Sequence, residues 1–227
     1  SQYGKYSKFL PNADYKLTHT CIDGRGVYSF CMCPGGFVVN ASSEENHLVI
    51  NGMSNHKRDE ENANSAIVVQ VSNKDFGNNI FDGMNFQRHL EEKAYNIGNG
   101  LIPVQLFSDY ENNTISKEFK SVKPIFKGNY KFVNINDIFP EFINNDLKEA
   151  INYFNNKIDG FNSGDAIIAG VETRTSSPIR IVRGENGMSN IDGIYPIGEG
   201  SGYSGGITTS AMDGIKISEL IAKVYKN

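Results

Sequence analysis

The chain has 227 residues, 39% of them hydrophobic and 21% charged, with a formal net charge of −4 at pH 7. That length suffices for one sizeable core or two smaller ones, and the composition is that of a folded chain rather than a disordered one. The negative balance disfavours nucleic acid as the main partner, and no apolar run approaches the ~20 residues of a membrane span. No signal peptide is visible, although a truncated start would hide one, and three cysteines without a secretory signature point to a reducing cytoplasm.

Short apolar runs at 27–33, 37–41 and 47–51 are separated by Pro34-Gly35-Gly36 and by polar residues 42–46. They predict a β-meander. Residues 65–72, rich in β-branched side chains, predict another strand, and 85–97 a helix closed by Gly98. The character changes over 115–161, where 137–142 and 146–158 alternate polar and apolar residues at helical spacing. With Leu147, Ile151, Phe154 and Ile158 on one face, this stretch predicts a small helical subdomain inserted into a sheet domain. Residues 166–171 and 179–182 then return the chain to strands.

At the carboxyl end, residues 193–197 read as a short apolar strand entering a glycine-dense turn, and the chain from Gly206 onward has the composition of a helix. Ala211, Ile215, Leu220 and Val224 offer that helix a buried stripe, and Gly214 would permit close approach to a sheet. Gly198, Gly200, Gly202, Gly205 and Gly206 remove side chains that would keep a ligand from touching backbone. Glu199 is the carboxylate placed at the strand's end, where it could accept hydrogen bonds from sugar-like hydroxyls. The free N–H groups of Gly206, Ile207 and Thr208 would face whatever lies ahead of the helix. An ordinary glycine-rich loop before a terminal helix has the same composition.

Other polar candidates are few. Cys31 and Cys33 are two apart on a predicted strand and so share a face, and His19 and Cys21 form a second such pair upstream. Together they could make a zinc set, but zinc spacing usually places two to four residues between paired cysteines, so no metal site is expected. Cys31 and Cys33 remain candidates for thiol chemistry, with packing as the plain alternative. Arg174 sits where a guanidinium could clamp a substrate carboxylate or balance developing negative charge. Arg25 and Arg58 lie in predicted turns, where surface placement is the expectation, and Arg180 reads as solvated. No histidine among His47, His56 and His89 has a partner spaced for a Ser-His-Asp triad or an HExxH site, which weakens hydrolase readings.

The tail resembles the second cofactor motif of two-dinucleotide-binding-domain flavoproteins, in which an acidic residue holds the FAD ribityl chain and the following helix points at the pyrimidine edge of the isoalloxazine. On that resemblance Glu199 takes the ribityl role, where most of the wider superfamily carries aspartate, and Gly206 and Ile207 the helix-start role. CMCPGGFVVNASSE at 31–44, NGMS at 51–54, NANSAIVVQV at 62–71, FQRHLEEKA at 86–94 and ETRTSSPIRIVR at 172–183 also resemble a family of bacterial FAD-dependent dehydrogenases. The resemblance implies an α+β fold: a mixed or antiparallel β-sheet substrate domain begun in 1–112, an inserted helical subdomain at 113–161, return strands at 162–186, and at 187–227 a strand, glycine turn and helix belonging to an incomplete FAD-binding domain.

Members of that family carry an N-terminal Rossmann segment with GxGxxG. No glycine cluster here follows a strand, opens a helix and has an acidic residue about 20 positions later. The chain, which begins at Ser1, is therefore expected to be a carboxyl-terminal portion of a longer protein whose Rossmann segment is its partner. FAD would be held by the parent and weakly or not at all by this portion alone, and the small-molecule substrate stays unidentified. Two classes of function follow: part of an FAD-dependent oxidoreductase, or a non-catalytic binding or assembly module with no flavin.

Overall fold

In the computed structural model residues 16–225 are described. Among them the chain is α+β, with three small three-stranded sheets and five α-helices. The strands are β1 (Thr18–Thr20), β2 (Gly26–Cys33), β3 (Gly36–Asn40), β4 (Ile50–Ser54), β5 (Asn64–Val69), β6 (Ile102–Leu106), β7 (Phe126–Lys127), β8 (Tyr130–Phe132) and β9 (Ile167–Ala169). The helices are α1 (Asn73–Phe76), α2 (Asp82–Gly98), α3 (Phe107–Glu111), α4 (Glu141–Phe154) and α5 (Ile207–Val224).

The first three apolar runs are extended as expected, but they do not form a meander. β2 lies between β1 and β5, antiparallel to both, whereas β3 pairs antiparallel with β4 and parallel with β7. The turn between β2 and β3 therefore carries the chain from one sheet to another. Gly35, at φ +52°, accepts this because a Cβ there would collide with the carbonyl oxygen of Arg58. The third sheet is built on β6, whose five residues are all buried, with β8 parallel on one side and β9 antiparallel on the other.

One core joins the sheets. Ile102, Val104 and Phe107 pack in the same cluster as Leu48, Ile50 and Ala94, and as Ile143, Leu147 and Ile151 of α4. The helical face foreseen over 146–158 is real, with Leu147, Ile151 and Phe154 buried, although the helix starts and ends a few residues earlier. Each such side chain contributes roughly 1.5–3 kcal/mol of burial. Because α4 shares its apolar face with β6 and its flank with β1, the helical stretch and the sheets are packed as one body. Helix α2 ends on Asn99 in the left-handed conformation at φ +55°; the expected stop, Gly98, is instead its last helical residue, where the missing side chain lets Pro103 pack.

Beyond β9 the expectations fail in three places. Residues 179–182 and 193–197 belong to no ladder, and Gly193 sits in a turn at φ +81°, so neither is a strand. Each makes only isolated backbone bonds, Ile181 N to Ser201 O at 3.1 Å and Ser189 N to Ile194 O at 2.8 Å, and Val182 and Ile194 are exposed. In α5 the buried residue is Ile217, while Ala211, Ile215 and Val224 face solvent and Leu220 is half-covered. The predicted stripe thus does not match the buried face, because Ala211 and Ile215 lie on the far side of the helix from Ile217, and Gly214 approaches no sheet, since a Cβ there would meet nothing.

Candidate functional site

The tail is held by side chains rather than by strand pairing. Gly198 at φ +74° and Gly202 at φ +82° fold residues 198–203 into a tight turn, closed by Tyr203 N donating to Gly198 O at 3.0 Å and Gly202 N to Glu199 O at 2.9 Å. Asp213 of α5 then accepts from Gly198 N at 2.9 Å and from both terminal nitrogens of Arg183 at 2.9 and 2.6 Å. The Arg183 guanidinium lies 3.6 Å from the centroid of the Tyr203 ring and also donates to Pro196 O at 2.7 Å. These charge-assisted bonds hold the Asp213 carboxyl down at about 2. One carboxylate therefore fixes the glycine turn, Arg183 and the helix in a single arrangement.

That arrangement leaves the start of α5 open. Gly206 is the N-cap, no side chain caps the first turn, and the first intrahelical bond is Ser210 N to Gly206 O, so the amides of Ile207, Thr208 and Thr209 have no helical partner. A Cβ built on Gly200 or Gly205 would meet nothing within 4 Å, and one on Gly206 only Thr209 Oγ1 at 3.8 Å. The bare backbone at these positions is not required by the chain's own packing. Uncapped amides, unfilled space and the half-buried Glu199 fit the polar, electron-rich edge of a flavin and its hydroxylated chain.

Glu199 and Gly200 line a crevice of about 370 Å³ that also takes in Arg174, Gln87, Glu91 and Glu44. The structure thus brings the predicted arginine and the predicted carboxylate to one place. The Arg174 guanidinium is already occupied, however. Its Nε and Nη2 bind the two oxygens of Glu91 at 3.0 and 2.7 Å, Nη2 also reaches Glu44 at 2.9 Å, and Nη1 donates to Ser43 Oγ at 2.8 Å. Glu91 is fully buried and takes a further bond from Thr173 Oγ1 at 2.6 Å. In this geometry Arg174 neutralises a buried carboxylate and ties 172–174 to α2.

Next to the crevice, and sharing Gln87, Ser176, Ser177 and Pro178 with it, lies a cavity of about 890 Å³. Its walls are largely apolar, with Tyr28, Phe37, Phe86 and Phe126 from three different parts of the chain, and its polar lining includes Glu172, Thr173, Asn64, Gln87 and Asp159. Burial pushes the Glu172 carboxyl up to about 7. A carboxyl that exchanges its proton near neutrality at the rim of an apolar cavity has the properties of a general acid or base.

The cysteines stand differently from expectation. Cys31 adopts φ +45° and the ladder slips between Phe30 and Cys33, so the alternation that would place both thiols on one face is broken by a bulge. Met32 lines the cavity and neither thiol does. Burial and the nearby Glu172 carboxylate push both thiols up, and Glu199 adds to the effect at Cys31. Both therefore stay protonated at neutral pH, the less reactive form.

Several working residues were not foreseen. Glu91 could have been, because Gly83, Leu90, Ala94 and Gly98 mark the buried stripe of α2 and Glu91 falls within it. Glu172 follows an apolar run, which hints at burial. Arg25, expected at the surface, instead bridges Asp75 at 2.6 Å and lies 4.3 Å from the centroid of the Phe142 ring, contacts that no local spacing announces. Arg180 lies 4.3 Å from the Tyr203 ring centroid.

Comparison with known proteins adds two findings. An uncharacterised protein of Clostridium beijerinckii is 47% identical over 232 positions, which cover 99% of this chain and 44% of that relative. The chain thus spans less than half the length of the relative it matches. A family model described as FAD-dependent protein, C-terminal domain-like, matches residues 1–175, a stretch that contains the cavity's sheets, Glu172 and Arg174 and ends before the glycine turn. On that match the chain belongs to the family of FAD-dependent protein, C-terminal domain-like.

Proposed function

We propose that this chain supplies the ribityl- and ring-facing half of an FAD site, with the substrate cavity beside it, in a flavin-dependent dehydrogenase. The observation that carries the reading is the uncapped start of α5, fronted by glycines that the chain's own packing does not need and flanked by Glu199, in a chain of an FAD-dependent family. Bound FAD would accept the hydride or electron pair withdrawn from substrate.

The chain's residues have separate tasks. Glu199 accepts hydrogen bonds from ribityl hydroxyls, and the amides of Gly206, Ile207 and Thr208 turn positive dipole ends toward the pyrimidine edge, where negative charge builds on reduction. The apolar walls of the 890 Å³ cavity exclude water from the substrate. Glu172, at its rim, takes or returns the substrate proton. Arg174 and Glu91 keep 172–174 in place for this. A partner segment carrying the adenosine-binding half, of Rossmann type, completes the cofactor site. The exposed apolar residues of α5, Ile207 at 89%, Met212 at 64% and Ile215 at 61%, suit packing against that partner.

The test is FAD titration of the polypeptide that includes the preceding portion, beside its Glu199→Ala and Gly205→Ala variants. Both variants are expected to keep the parent's melting temperature, since Glu199 is half-exposed and a methyl at Gly205 meets nothing. Each is expected to weaken FAD binding by about tenfold or more. A parent that binds no FAD, or variants that bind it as well as the parent does, would overturn the reading.

A further inference from the structure

Apart from the cavity, a second cluster of reactive side chains joins β1 to α4. His19 lies on β1 and Cys21 two residues on, and both reach the same side of the chain. Asp146 and Glu149 are three apart on α4, one face of one turn. A nitrogen of His19, the thiol of Cys21 and a carboxylate oxygen of Glu149 all lie within 4.8 Å of one another. His19 Nε2 is 2.7 Å from Glu149 Oε1, and the Ile22 amide donates to both Glu149 oxygens at 3.2 and 3.3 Å, which orients that carboxylate. The Cys21 thiol donates to the Asp146 carbonyl at 3.7 Å.

Two features of the cluster are unexplained by packing. Asp146 Oδ2 is buried without a hydrogen-bond partner, on a side chain 5% exposed, and its nearest cation among the described residues is Arg25 Nε at 3.9 Å. An orphaned carboxylate oxygen in such a place is costly unless a cation satisfies it. Cys21 is also buried, and its thiol makes only the long 3.7 Å bond to the Asp146 carbonyl.

We propose that His19, Cys21 and Glu149 form a structural site for a zinc-class divalent ion that ties β1 to α4, with the buried Asp146 carboxylate nearby adding negative potential. The donors are one imidazole nitrogen, one sulfur and carboxylate oxygens, a mixed set that suits zinc and not the all-oxygen preference of calcium or magnesium. Zinc bonds of about 2.0–2.3 Å imply donor separations near ~3.5 Å, so closing the cluster requires inward movement of about 1 Å. On binding, the Cys21 proton leaves to solvent, and His19 shifts the proton it shares with Glu149 from Nε2 to Nδ1, so that the freed Nε2 of the neutral imidazole binds the metal. Thiolate and the Glu149 carboxylate bring two negative charges against the ion's two positive ones, and Arg25 balances Asp146 beside them. The CxC pair at Cys31 and Cys33 takes no part: the cluster that shares a metal's reach contains neither.

The chain, stripped with chelator, would be titrated with zinc and with cobalt and melted with and without metal. One equivalent per chain, a thiolate-to-cobalt charge-transfer band and a zinc-dependent rise in melting temperature are expected. Glu149→Gln and His19→Gln, both at partly exposed positions, should melt like the parent without metal yet bind zinc at least about tenfold more weakly. Cys21→Ser should abolish the cobalt–thiolate band, and a Cys31→Ser/Cys33→Ser double variant should retain it. Absence of the band and of the melting shift in the parent would overturn the proposal. Loss of the band in the double variant with retention in Cys21→Ser would do so equally.

Discussion

Burial holds the Glu172 carboxyl at about 7 against an ordinary value of 4.5, and this has a consequence for stability that is independent of any cofactor. Below pH 4.5 the group is protonated in both folded and unfolded chains and costs nothing. Between pH 4.5 and 7 the unfolded chain ionises while the folded one keeps its proton, so stability falls as pH rises, and above 7 the full penalty remains. Allowing for the solvent that still reaches the group, the penalty is on the order of 2 kcal/mol. Glu172→Gln should therefore be more stable than the parent at pH 8 by that order and close to it at pH 4, measured by urea unfolding at both. An equal difference at the two pH values would mean that Glu172 titrates normally. The contrast with Arg174 is instructive. Its charge is balanced by Glu91 and Glu44, whereas the charge that Glu172 would carry has no balance, and in a catalytic site the unbalanced group is the one free to exchange protons.

At the scale of elements, legibility followed how local the determining contacts are. Helix α4 and strands β2, β3 and β5 were readable because apolar periodicity alone specifies them. The sheet change at Gly35, the bulge at Cys31 and the coil at 179–182 were not, because each depends on which backbone lies alongside. The tail is the extreme case: glycine and apolar content suggested a strand, yet Arg183 and Asp213 organise it, 30 positions apart and invisible to any short pattern. Asp213, held at about 2, contributes stability that is present above its ordinary 3.8 and is lost as pH falls from 3.8 through 2. Asp213→Asn should accordingly free the turn and α5 while leaving the sheets intact. Amide exchange should speed up in residues 198–224 and stay unchanged in β6; uniform acceleration would show that the tail and the sheets unfold together.

For the whole molecule the question is what α5 packs against. Ile217 is its buried residue, set over Gly187, where a Cβ would come 2.8 Å from the Ile217 side chain. The opposite side carries Met212 and Ile215 in solvent, and Ile207 and Val224 are exposed at the two ends of the helix, more apolar surface than a terminal helix needs for its own anchoring. A second layer against that side would turn the present edge of the molecule into an interior and place the uncapped amides of α5 at a cleft between two bodies, where nucleotide cofactors usually lie. The C. beijerinckii relative, of which this chain covers 44%, is long enough to contain such a layer. The sequence GSGYSG at 200–205 does spell GxGxxG, but no strand leads into it in the structure, so it lacks the strand-turn-helix setting in which such a loop holds a pyrophosphate. On the proposed reading this chain alone should bind FAD more weakly than micromolar, because the residues assigned to ribityl and ring leave the charged diphosphate without its strand-anchored loop. Titration by flavin fluorescence decides this. Micromolar or tighter binding by the isolated chain would mean that the tail forms a complete site of another kind. Weak binding that tightens when the proposed Rossmann-type segment is supplied in trans would place the second layer on the exposed side of α5, and Ile215→Glu on that side should then prevent the tightening without altering the fold of the isolated chain.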